Sequence, residues 1–223
     1  MKLAFTIIII LFFFQSTSAQ ENIYIDENGK IISSEAYSEK LRNQDLSYSK
    51  WLHIDENGDT HYTLTQGYYS KGVFDYFEIK SEIENLINRK IPDSNTILIE
   101  YRYKDDLCTA RRDNKWTKDE ILDRKNFLNP LRTDIEKNKI TFIVLFENGM
   151  TLRNRPHKKD EYFYIDSNNF FRNKIFIKPT WCGSYALIKP NGETLIRNGE
   201  YRPDWMAEHL KNVNWKLFFD SKN

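Results

Sequence analysis

The chain has 223 residues, with Lys plus Arg at 33 and Asp plus Glu at 32. A balance this close to neutral argues against nucleic acid or an anionic membrane as the main partner. The length suits one domain, or one with a small extension, and aromatic residues spread along the chain favour a packed core over disorder.

Lys2 is followed by an apolar run from Leu3 to Phe14, broken only by Thr6, and then by Gln15, Ser16, Thr17, Ser18 and Ala19. This is the pattern of a cleavable secretory signal peptide over 1–19, cut after Ala19. The run is too short for a membrane anchor, which takes about 20 apolar residues. No cysteine lies near the cut to carry a lipid. The expected product begins at Gln20, loses the one-charge excess with Lys2, and is extracytoplasmic: periplasmic or secreted. No later stretch reads as transmembrane.

Asn-Gly pairs at 28–29, 57–58, 148–149 and 191–192 mark tight turns, because both residues tolerate positive φ. Their flanks predict a hairpin from Ile23–Ile25 and Lys30–Ile32, and another from Trp51–Ile54 and His61–Leu64. The string Ile-Asp-Glu-Asn-Gly occurs at 25–29 and again at 54–58. An EF-hand loop places its glycine five residues after the first Asp; here the interval is three, so an acidic hairpin turn is expected. Ser34–Arg42 reads as a short helix capped by Ser34, and Ser81–Arg89 as a second helix with Ile83, Leu86 and Ile87 on one face. Pro92, Asp93 and Ser94 then break the chain. The expected organisation is a β-rich extension with short helices over 20–90, followed by the main domain over 91–223.

Within that domain Thr96–Tyr103 reads as a strand. Thr117–Lys137 reads as a helix with Ile121, Leu128, Leu131 and Ile135 at helical spacing, kinked or split at Pro130. Ile140–Glu147 reads as a strand buried on both faces. Residues 148–174 read as irregular and aromatic. Tyr185–Lys189 and Thr194–Arg197 form a hairpin about Pro190–Gly192, Pro203 opens a final helix, and Trp215, Phe218 and Phe219 dock the tail.

Strand–helix–strand, then hairpin and helix, is the order of the thioredoxin-like fold. The segment TILIEYRYKDDLC, Thr96 to Cys108, resembles that family's first central strand running into its redox loop. The segment GSYALIKPNG, Gly183 to Gly192, resembles the stretch after its active-site cis-proline. The resemblance spans roughly 91–210 and implies an α/β domain, a thioredoxin-like sheet with flanking helices. The family's Cys-Xaa-Xaa-Cys is absent: positions 105 and 111 are Asp105 and Arg111, and Gly183 stands where the proline belongs. Dithiol exchange needs one thiolate to attack and a second to release the mixed disulfide, so that activity does not carry over.

Cys108 admits two readings. Arg111 and Arg112 close behind it would raise its thiolate fraction, making it the nucleophile of a one-cysteine thiol–disulfide or peroxide-reducing enzyme. Alternatively it is structural, since two cysteines in an exported protein usually pair. In a thioredoxin-like sheet the loop after the first central strand lies beside the loop before the hairpin, so the resemblance implies a Cys108–Cys182 disulfide. His53, His61, His157 and His209 lack metal-ligand spacing, and no HExxH, GxSxG or P-loop pattern occurs. Tyr162, Phe163, Tyr164, Phe170 and Phe171 either line a binding groove or cover the core beneath a long loop. The reading is a non-catalytic binding or scaffold protein with no metal or cofactor, its partner an unknown protein or small ligand.

Overall fold

The structure, a computed structural model, describes residues 20–43, 45–108 and 114–219; the expected signal peptide and Arg111 and Arg112 lie outside them. A four-stranded sheet comes first, from β1 (Asn22–Ile25), β2 (Ile31–Ile32), β3 (Tyr48–Ile54) and β4 (Thr60–Gln66), in the order β2-β1-β4-β3. Helix α1 (Ser34–Arg42) covers it through Tyr37, which packs with Tyr48 and Leu64. Ser33, not Ser34, caps this helix by accepting the Ala36 N–H at 3.2 Å.

The two repeated strings form matching turns. Asp26 Oδ1 accepts the N–H groups of Asn28 and Lys30, each at 2.9 Å. Asp55 Oδ1 accepts those of Asn57 at 2.9 Å and Asp59 at 3.0 Å. Each carboxylate thus satisfies its own turn backbone, which is why Asp precedes Asn-Gly here.

The second sheet has six strands in the order β10-β8-β6-β11-β12-β5. Its elements in chain order are β5 (Tyr69–Val73), α2 (Tyr76–Ile87), β6 (Thr96–Arg102), β7 (Lys115–Trp116), α3 (Lys118–Glu136), β8 (Ile140–Glu147), β9 (Thr151–Leu152), β10 (Phe163–Asp166), α4 (Phe170–Lys174), β11 (Ser184–Ile188), β12 (Glu193–Asn198), α5 (Pro203–Ala207), a 3-10 turn (Glu208–Leu210) and α6 (Asn212–Phe219). β7 and β9 pair separately. Strands β6, β8 and β10 are parallel, whereas β11, β12 and β5 continue the sheet antiparallel. The expected order is therefore present, with β6–α3–β8 followed by the β11–β12 hairpin laid against β6.

Alternation along β6 divides the core. Ile97, Ile99 and Tyr101 face α2, whose Ile79, Ile83 and Ile87 are buried; Leu98 faces α3, Met206 and Trp215. β8 lies between β6 and β10 with apolar residues on both faces, as its continuous pattern requires. Helix α3 stays one helix through Pro130, because Leu128 and Ile135 on either side of the proline are both buried against the sheet.

β9, β10 and α4 lie in the stretch 148–174 that reads as irregular, α6 follows the helix opened by Pro203, and α2 and β5 also depart from expectation. α2 starts at Tyr76, five residues before Ser81, because Asp75 caps it by accepting the N–H groups of Phe77 and Glu78. β5, an edge strand inside the stretch read as the extension, pairs with β12. The change of sheet thus falls between β4 and β5, ahead of the break at Pro92.

Candidate functional site

Cys108 and Cys182 form a disulfide, with Cα atoms 4.9 Å apart and a sequence separation of 74. Cys108 belongs to the loop leaving β6; Cys182 precedes β11. Because β6 and β11 are hydrogen-bonded neighbours, Tyr101 pairing with Ser184, their connecting loops meet at one end of the sheet.

The described residues of both loops make polar contacts. Asp106 Oδ1 accepts the Cys108 N–H at 2.9 Å, and Asp105 and Asn114 exchange two hydrogen bonds of 2.7 and 2.6 Å. On the other side Thr180 Oγ1 contacts Ser184 Oγ at 2.8 Å, donates to the Gly183 carbonyl at 2.9 Å and accepts the Gly199 N–H at 2.9 Å. Tyr103 Oη reaches across to the Lys178 carbonyl and Ser184 Oγ, at 3.1 and 3.0 Å. Gly183 has φ of +86°, and a Cβ there would stand 2.5 Å from the Tyr101 carbonyl oxygen, so the close approach of the loop to β6 requires glycine.

Behind the bridge lies a buried charge cluster. Glu100 is 1% exposed, and its Oε1 takes Arg102 at 2.6 Å and Arg124 at 2.8 Å. Burial alone would raise this carboxyl; Arg124 and Arg102 outweigh it and hold it at about 2. Arg102 Nη1 also donates to the Cys182 carbonyl at 3.2 Å, tying the cluster to the bridge. Asp106 is the contrary case. Burial pushes it up to about 6, although the Cys108 N–H and Arg102 pull it down.

The aromatic candidates are spread through the core. Tyr162 and Phe163 pack on the α3 side, and Tyr164 and Phe171 on the opposite side; all four are buried, and Phe170 is half-buried. They do not form one cluster, because β10 adds a parallel strand beside β8 and its neighbours pack against both layers. His53 and His61 stack at 4.9 Å, His61 meets Asp55 at 3.1 Å, and His209 meets the Tyr69 hydroxyl at 3.0 Å. Among the described residues there is no cluster of three or more His, Cys, Asp or Glu that could hold a metal. Likewise no helix there is long and apolar enough to cross a membrane.

No family model and no curated protein matches the chain. Among solved structures it is similar to the N-terminal domain of PilB from Neisseria gonorrhoeae, at 14% identity over 57% of this chain and 86% of that one, with a TM-score of 0.36. It is similar to the exposed lipoprotein thioredoxin Etrx1 of Streptococcus pneumoniae, at 8% identity over 73% and 98% of the two chains, with a TM-score of 0.35. A third is a putative thiol:disulfide interchange protein DsbE from Chlorobium tepidum, at 9% identity over 74% and 94%, with a TM-score of 0.35. With overlaps this loose, strand order decides the matter: a parallel pair joined by a helix, then an antiparallel hairpin laid against the first strand of that pair. The fold is thioredoxin-like. Where a thioredoxin-like loop would carry two neighbouring cysteines, this one carries Cys108 alone, bonded to the facing loop.

Proposed function

We propose that the chain is an exported binding or scaffold protein whose thioredoxin-like domain no longer performs dithiol chemistry. The observation that carries this reading is the Cys108–Cys182 bridge between two loops. Dithiol exchange uses one sulfur to attack and a second, close by in sequence, to resolve. Here the two sulfurs stand on separate loops and hold them together. The polar contacts of the described residues around the bridge support a staple. An oxidising compartment outside the cytoplasm, which the leader over 1–19 would supply, suits a permanent bridge. The enzyme reading needs Cys108 as a free thiol, and its bond to Cys182 counts against that.

Two measurements on the mature protein test the reading. Thiol titration under native conditions is expected to find no free thiol before reduction. Insulin reduction by dithiothreitol is expected to run at the uncatalysed rate. Turnover comparable to a dithiol thioredoxin, abolished by Cys108→Ser, would replace the binding reading with the enzyme.

A further inference from the structure

Lys50 and Arg197 line one cleft with Trp181, the residue before Cys182, and neither has a paired carboxylate among the described residues. Lys50, on β3, holds its ammonium 3.7 Å above the Trp181 ring. No carboxylate pairs with it among the described residues, and burial lowers its pKa with no acidic neighbour opposing the shift. Arg197, on β12, lies over the rings of Tyr68 and Tyr201 at 4.5 and 4.9 Å and donates to the Asn198 carbonyl; it too has no carboxylate partner among the described residues. Its Nε and the Trp181 Nε1 are buried donors with no acceptor.

These groups line one cleft of about 290 Å³, with Ser49, Tyr68 and Glu200. The walls converge at Gly199: a Cβ there would stand 3.8 Å from the Trp181 carbonyl oxygen, 3.9 Å from Arg197 Nη1 and 4.0 Å from Ser49 Cβ. They are also fixed, because the Trp181 N–H donates to the Lys50 carbonyl and the Asn198 N–H to the Tyr68 carbonyl, each at 2.7 Å.

We propose that this cleft binds a small aromatic carboxylate, its anion met by Lys50 and Arg197 and its ring held among the aromatic lining residues. Two partly desolvated cations with no carboxylate paired to them gain charge-assisted hydrogen bonds from an incoming anion. Flat aromatic walls favour a flat ligand body. The volume lies at the small end of ligand pockets, which begin at about 300 Å³, so it suits a single-ring acid. Glu200, exposed on the rim, repels further negative charge and disfavours a polyanion. Neither Cys108 nor Cys182 lines the cleft, so the proposal goes beyond the reading of the bridge above.

Calorimetry on the mature protein with benzoate, benzyl alcohol and inorganic phosphate tests the proposal. Benzoate is expected to saturate one site, with the neutral alcohol and phosphate weaker by at least about tenfold. Lys50→Met is expected to weaken benzoate by at least about fivefold, and Glu200→Gln to tighten it about twofold, as removal of one charge in a partly screened site predicts. Benzoate is also expected to shift the Trp181 indole N–H resonance, a readout that needs no substitution. Absence of saturable benzoate binding, equal affinity for benzyl alcohol or phosphate, or an unmoved Trp181 resonance would overturn the proposal.

Discussion

Asp106 and Gly183 show how single residues set the end of the sheet where the bridge lies. Asp106 is held in a half-buried position by its bond to the Cys108 N–H and is pushed up to about 6 by burial. Its folded pKa is therefore above its unfolded value near 3.8. The stability linked to its proton is fully present below pH 3.8 and is lost as pH rises through 6. Asp106→Asn keeps an oxygen for the Cys108 N–H and removes the charge. It is expected to leave the melting temperature unchanged at pH 4 and to raise it above pH 6.5; parallel melting curves for the two proteins across this range would refute the assignment. Gly183→Ala meets both a left-handed φ and the Tyr101 carbonyl oxygen. A loss of at least about 2 kcal/mol is expected by urea unfolding, more than an ordinary surface substitution gives.

Among the elements, α3 illustrates a sequence signal that translates directly. Thr117 and Glu120 form a reciprocal cap: the Thr117 N–H donates to Glu120 Oε2 at 2.8 Å, and the Glu120 N–H to Thr117 Oγ1 at 3.3 Å. Thr117→Ala is expected to cost about 1 kcal/mol, and Thr117→Ser to restore most of it. Equal stability of all three proteins would show that packing alone holds the helix start. Strands β6 and β8 were legible too, β6 from its β-branched and aromatic residues and β8 from its nearly continuous apolar run. β5 was not. Its residues Tyr-Ser-Lys-Gly-Val lie on an edge with little burial and carry no alternation. β10 was hidden because its aromatic residues serve both core layers, which erases the one-faced pattern of a strand. Asn198-Gly199 at the end of β12 is a further Asn-Gly pair, and it lies where the cleft walls meet. The Lys50–Arg197 cleft had no signal to follow, because its members are 147 positions apart and meet only through the packing of two sheets.

At the scale of the molecule, the bridge joins the two halves of the six-stranded sheet, and Trp51 of the four-stranded sheet packs on Tyr103 in the same region, ring centroids 5.7 Å apart. Closing a loop whose ends are 74 apart in sequence is worth about 4 kcal/mol in the chain-entropy model. Reduction with dithiothreitol, or the paired Cys108→Ser and Cys182→Ser substitutions, is expected to lower unfolding stability by that order in urea, and the two treatments should agree. The most direct measurement is non-reducing peptide mapping, by mass spectrometry, of the mature protein recovered from its native host. The account predicts an N-terminus at Gln20 and a single disulfide-linked peptide pair carrying Cys108 and Cys182. Both cysteines alkylated without prior reduction, on a chain still bearing Met1 or Lys2, would contradict it.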